Sequence, residues 1–272
     1  MISLKLGLCL TGGGARGAYQ IGVAKALEEL GILQKVEVFS GTSIGSVNAS
    51  MLSTMSVDQA RELWFSVSND LLKRTENIFK RIIKERLEFK STGVYEISSL
   101  EEMLKNHLNL DILRQKQVYV TISEGGEVNE GIFGLFKSSY HHYVKRDESH
   151  VVYSKISSCE DDEIVYKQIL ASCSIPIIFA PLQVNDKQYY DGGLYDNAPI
   201  KPLIDEGCDT IIVIHLEKIH FLNASKYPDV KIHEIKTKQH LGGHLNFDPE
   251  KSKKIYQYGY DDTLQYFSNH PL

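Results

Sequence analysis

The pentapeptide Gly41-Thr42-Ser43-Ile44-Gly45 has the residue types and spacing of a nucleophilic centre. An apolar run, Val36-Glu37-Val38-Phe39, leads into it, and a small, apolar run from Ser46 to Leu52 leads out. The pattern predicts a strand, a very tight turn and a buried helix, with Ser43 at the apex of a G-x-S-x-G nucleophile elbow. Glycines at 41 and 45 have a steric reason, because a strand turning at once into a helix brings the residues flanking the apex into contact. The helix N-terminus adds N–H dipoles that favour an alkoxide or developing oxyanion at Ser43. A Gly-Ser turn without chemistry is the competing reading, since a bare G-x-S-x-G arises often by chance. Its place between strand and helix favours the elbow.

A second glycine motif, Gly12-Gly13-Gly14-Ala15-Arg16-Gly17, follows a predicted buried strand at Leu4 to Leu10. It precedes a helix from Ala18 to Leu30 that Gly31 closes. Gly12, Gly14 and Gly17 satisfy G-x-G-x-x-G, which is also a dinucleotide fingerprint. That use needs an acidic residue at the end of the second strand, where this chain has Phe39-Ser40-Gly41. No G-K-[ST] follows either. The other use of such a loop is anion binding by backbone N–H groups, the anion of an acyl hydrolase being its tetrahedral oxyanion. A loop after strand 1 and an elbow after strand 2 of one parallel sheet face the same crevice. The hydrolase reading is favoured.

A serine needs a base. Ser43, Asp191 and His215 or His220 follow the chain order of an α/β-hydrolase triad. None of the ten histidines sits in a motif with turn chemistry of its own, and His215 ends an apolar strand. Asp191 does sit in one: Tyr189-Tyr190-Asp191-Gly192-Gly193-Leu194 puts a carboxylate where a strand breaks into a double-glycine turn. An ordinary Asp-Gly turn is the plain alternative, and the coincidence of three motifs argues against it.

The elements that must position these residues read as α/β. A strand–helix–strand–helix opening implies a parallel sheet with right-handed crossovers. Ser56 to Gln59 resembles a capping box opening a helix over 57–67, and Ser99 to Glu102 resembles another opening a helix to His107. Further strands are expected at 117–123, 151–153, in a pair over 182–190, and at 210–216, with helices at 162–172 and 249–267. Between 71 and 90 the chain is basic and amphipathic, which fits either an interfacial helix or a solvated cap helix, the commoner case.

Composition sets outer bounds. The 272 residues are 42% hydrophobic and 24% charged, with net charge -5, which is ordinary for a soluble protein and weak grounds against nucleic-acid binding. Four scattered cysteines without C-x-x-C spacing predict neither zinc nor disulfides and read as thiols of a reducing, cytoplasmic compartment. The first ten residues lack signal-peptide features, and no apolar run approaches the roughly 18 residues of a membrane span. The expectation is a soluble protein, or one peripheral to a membrane.

Taken together, Gly12 to Gly17, Gly41 to Gly45 and Asp191-Gly192-Gly193 make the chain resemble the bacterial patatin-like phospholipases. Ala171-Ser172-Cys173-Ser174-Ile175-Pro176 is similar to the family's A-S-x-x-x-P segment, and Asp196-Asn197-Ala198-Pro199 and the helix at Phe247 to Phe267 add support. The resemblance implies a three-layer α/β/α fold around a mostly parallel sheet. It implies one acyl hydrolase domain over 1–272, with about 64–160 as its variable cap. It also implies a Ser43–Asp191 dyad without histidine, an oxyanion hole of backbone N–H groups from the Gly12 to Gly17 loop, and no metal or cofactor. The substrates implied are acyl esters of phospholipids and lysophospholipids. Two alternatives stay open: a Ser-His-Asp esterase, and a non-enzymatic nucleotide- or lipid-binding module. Arg16, a cation at a helix start, calls for a compensating contact, either a structural carboxylate or a substrate phosphate.

Overall fold

Leu6-Gly7-Leu8-Cys9-Leu10 is apolar at every position, and the strand it forms, β1 (Leu6–Leu10), is buried throughout. A strand buried on both faces must lie inside a sheet covered on both sides. The computed structural model describes residues 4–68, 94–127, 150–174, 182–184, 187–217, 222 and 224–272. In chain order after β1 come α1 (Ala18–Glu29), β2 (Val36–Thr42), α2 (Ile44–Thr54), α3 (Val57–Ser66), α4 (Val94–His107) and α5 (Leu110–Arg114). Then follow β3 (Gln117–Glu127), β4 (Val151–Lys155), α6 (Asp162–Ser172), β5 (Leu182–Val184) and β6 (Lys187–Asp191). The chain closes with α7 (Lys201–Asp205), β7 (Thr210–Ile214), β8 (Lys231–Ile235) and α8 (Pro249–Asn269).

The sheet runs β5-β6-β3-β2-β1-β7-β8, with β4 paired to β3. Pairs among β3, β2, β1, β7 and β8 are parallel; β4, β5 and β6 pair antiparallel. Alternate residues serve the two faces. Leu6, Leu8, Leu10, Ile212 and Ile214 join the larger core under α1, α2, α3 and α8, while Cys9, Ile211 and Val213 join a smaller one under α7. This is the α/β/α arrangement expected, with unequal helical layers. α1 and α8 pack backbone to backbone, since a Cβ on Gly22 would strike the Tyr256 carbonyl and one on Gly259 the Tyr19 carbonyl.

One feature of the sheet positions the site. Residues 119–121 of β3 pair with β2 and β4 at once, so those two lie on opposite edges of β3. At 122–123 the partners are β4 and β6, so β6 continues along the edge that β2 has left. Thr42 lies opposite Thr121 and Asp191 opposite Ile122. The C-terminal ends of β2 and β6 therefore meet head to head.

The Ser56–Gln59 capping box is present in full at the start of α3. Ser99 is not an N-cap: α4 starts five residues earlier, at Val94. The apolar period of Leu100, Met103 and Leu104 extends back through Ile97 to Val94, and a serine in a helix interior does not stop it. β8 had no expectation; His233 occupies one of its buried positions beside Ile235, which masks the apolar alternation. The basic segment 71–90 and His220 lie outside the described residues. Among the described residues no helix is long and apolar enough to cross a membrane.

Candidate active site

Ser43 follows β2 directly and caps α2 with φ 55 and ψ −129, the only positive φ on a non-glycine residue among those described. For a residue with a Cβ such a state costs on the order of 1–3 kcal/mol and persists where its surroundings over-determine it. The flanking glycines permit it. A Cβ on Gly41 would be driven into the Gly45 carbonyl, as the tight turn predicts. A Cβ on Gly45 would meet a different obstacle, the Leu10 and Thr11 carbonyls at the end of β1.

Asp191 ends β6 and is 6% exposed; Ser43 is 7% exposed. The Gly193 N–H donates to Asp191 Oδ1 at 2.7 Å, and the nearby Ser43 hydroxyl also favours the charged carboxylate. Burial lifts the Asp191 carboxyl to about 6, against the opposing pull of the Ser43 hydroxyl and the Gly193 N–H. Gly192 lies against the Thr121 carbonyl, leaving no room for a side chain. Cys173 also lies near the pair: burial, then the Asp191 charge, push its pKa well up, so it stays a thiol.

The glycine loop borders Ser43, since a Cβ on Gly12 would lie 3.1 Å from Ser43 Cβ. Its amides divide into two sets. Gly12 donates to Asn197 Oδ1 at 3.0 Å, Ala15 to the His244 carbonyl at 2.6 Å, and Gly17 to Gly14 at 3.0 Å. Arg16 N–H turns back on Gly13 O at 3.4 Å. The amides of Gly13 and Gly14 have no protein acceptor among the described residues. Behind the loop, Asn48 ties α2 to it, donating to Gly17 O at 3.0 Å and to Gln20 Oε1 at 2.7 Å while accepting from Trp64 Nε1 at 2.9 Å.

Arg16 points to protein partners. Its guanidinium pairs with Glu217 at 2.8 Å and donates to the carbonyls of Gly242 at 2.8 Å and Leu216 at 3.4 Å. Those contacts tie the loop to the segments after β7 and before α8. Arg16→Met is expected to cost about 1–3 kcal/mol. For a chain of this size that lowers Tm by about 2–4 °C per kcal/mol. Turnover of a neutral short-chain ester and of a phospholipid should fall by the same factor. Loss confined to the phospholipid would assign Arg16 to the substrate phosphate.

His215 is buried, with Nε2 2.9 Å from a Glu234 oxygen on β8. β7 lies two strands from β2, on the far side of β1. Their strand ends are therefore about 10 Å apart. Among the described residues no group of three or more His, Cys, Asp or Glu is placed to hold a metal. Two contributors to the site carried no role in the motifs: Asn197, which binds the loop, and Ser172, which binds the elbow. Both are small polar residues in segments the sequence marks, Ala171 to Pro176 and Asp196 to Pro199.

The sheet, the strained serine at a strand end and the buried carboxylate beside it define an α/β protein with a serine elbow. Residues 8–204 match the family model described as patatin-like phospholipase, and the chain belongs to that family. Lysophospholipase NTE1 of Candida glabrata is 29% identical over 233 residues, covering 82% of this chain and 11% of the relative. Lysophospholipase NTE1 of Saccharomyces cerevisiae is 28% identical over 232 residues, again covering 82% and 11%. This chain thus corresponds to a small part of these curated relatives. Among solved structures, VipD from Legionella pneumophila superposes with a TM-score of 0.52 at 15% identity, covering 98% of this chain and 67% of that one. That likeness concerns the fold alone.

Proposed function

We propose that this chain is a serine acyl-ester hydrolase of lipids, cleaving phospholipid or lysophospholipid esters with Ser43 as nucleophile and Asp191 as base. The observation that carries the reading is the strained Ser43 beside a buried carboxylate whose charge the Ser43 hydroxyl helps to hold. Asp191 takes the Ser43 proton as Oγ attacks the ester carbonyl. The tetrahedral oxyanion is received by the Gly13 and Gly14 amides, and collapse releases the alcohol with the proton from Asp191. Water then gives a proton to Asp191 and attacks the acyl-enzyme, releasing the fatty acid and restoring Ser43. No step requires a metal or cofactor. We take residues 1–272 as one hydrolase unit, with about 64–160 governing substrate choice.

The alternatives fit less well. A dinucleotide would need the loop amides that Asn197 and the His244 carbonyl occupy. A Ser-His-Asp triad would need an imidazole at Ser43, whereas His215 faces Glu234. His215→Asn and His220→Ala are each expected to keep kcat/KM within about threefold of wild type. A folded variant of either that loses several orders of magnitude would replace the dyad with a triad.

Labelling by a fluorophosphonate probe, followed by turnover of fatty-acyl esters of graded chain length and of lysophospholipids, tests the function itself. Labelling in wild type and none in Ser43→Ala is the expected outcome. An unlabelled, inert wild type would leave a lipid-binding module as the better reading.

A further inference from the structure

The strained backbone of Ser43 has to be held by something outside the elbow. Its carbonyl accepts from Ser46 N–H at 2.8 Å, within the turn. Its N–H donates to the side chain of Ser172, at 2.8 Å, from 129 residues away in sequence. Ser172 is the last residue of α6 and fully buried, and its hydroxyl donates to the Thr121 carbonyl at 2.6 Å. The hydroxyls of Ser172 and Ser46 lie 2.7 Å apart, and Ser46 reaches back to the Gly41 carbonyl at 2.9 Å. One hydroxyl thus fastens Ser43 to β3 at Thr121, the residue against which the Gly192 turn packs. Two residues on, the Ser174 carbonyl accepts the Asp191 N–H at 3.0 Å. The end of α6 therefore binds the backbones of both Ser43 and Asp191.

We propose that Ser172 is the positioning residue of the nucleophile: it locks the left-handed backbone of Ser43 and sets its distance from the strand that delivers Asp191. The proposal rests on the hydrolase reading for its catalytic consequence and on the Ser43 amide for its structural one. A serine that merely satisfies its own hydroxyl would leave the Ser43 rotamer and the approach of Oγ unchanged. A positioning serine acts on the reaction step, because misplacing a nucleophile lowers kcat while ground-state binding persists.

Three variants and two measurements test it. Ser172→Ala removes the acceptor, and kcat on a short-chain ester is expected to fall about 10–100-fold. KM should stay within about twofold, and the fluorophosphonate labelling rate should fall in step with kcat. The midpoint of the pH profile should move up if at all, since the Gly193 contact to the Asp191 carboxylate remains while the pull of the Ser43 hydroxyl weakens. Ser172→Thr restores the hydroxyl and should recover most of the rate. Should Ser172→Ala fail to fold, Ser172→Cys, whose sulfur is a weak acceptor, takes its place with an intermediate loss expected. Hydrogen exchange at the Ser43 amide reads the contact without catalysis: slow in wild type and Ser172→Thr, fast in Ser172→Ala. A folded hydroxyl-free variant with wild-type kcat, labelling and amide protection overturns the proposal. If wild type neither labels nor turns over, the hydrolase reading falls, and unchanged exchange in Ser172→Ala would then sink the positioning role separately.

Discussion

Ser43→Ala and Asp191→Asn are each expected to lower kcat by about 10⁴-fold or more while leaving the protein folded. A serine hydroxyl is a poor nucleophile until a hydrogen-bonded base takes its proton. Imidazole is the usual base because its ordinary pKa lies near neutrality. On the proposed reading the base beside Ser43 is a carboxylate, which burial would make a better base. The amide of the Asp191→Asn variant can still hydrogen-bond the hydroxyl but cannot accept its proton. If the two residues perform one step, removing either removes that step, and the double variant should be within about threefold of the worse single. Steady-state kinetics on one short-chain ester, with circular dichroism to confirm folding, provide the measurement. Losses that multiply in the double variant would show that Asp191 acts somewhere other than on Ser43.

The reach of the sequence follows from the range of each interaction. The constraint on Gly45 comes from the distant Leu10 and Thr11 carbonyls, but the elbow is legible because the constraint on Gly41 is local, the Gly45 carbonyl filling the space of its Cβ. The Asp191 turn is legible for the same reason, its carboxylate binding the N–H two residues on. The head-to-head meeting of β2 and β6 is not, because it depends on β3 exchanging one partner for another at Thr121. Asn197 binds Gly12 across 185 residues, and no local spacing announces it. Nor does the sequence divide the loop amides between Gly13 and Gly14 and the rest. That division comes from Asn197, from turns within the loop and from His244, the last in a stretch that reads only as a loop before the last helix. β8 is masked in the sequence because a histidine stands at a buried position of the strand, where its partner is Tyr266 on α8.

The buried base should also make the protein less stable where it is most active. If Asp191 is the base, catalysis needs its ionised carboxylate, so kcat/KM should rise about tenfold per pH unit below about 6 and level off above it. Stability runs the other way. Between the ordinary carboxylate range near 4 and the native value of about 6, the folded state holds a proton that the unfolded chain has lost. Stability therefore falls as pH rises through that window, by about 3 kcal/mol for a shift of this size, and stays lower above it. Asp191→Asn removes the charge and its burial cost together. It should melt above wild type at pH 7.5, and the difference should shrink toward zero at pH 4. Comparing the two proteins cancels other groups, such as Glu206, which the hydrogen bond from Lys155 holds below its ordinary value in both. Differential scanning calorimetry of the pair across pH 4–8 makes the measurement. A wild type more stable than Asp191→Asn throughout would mean that the Ser43 hydroxyl and the Gly193 N–H outweigh burial. The base would then titrate well below 6, and the activity profile should shift down with it.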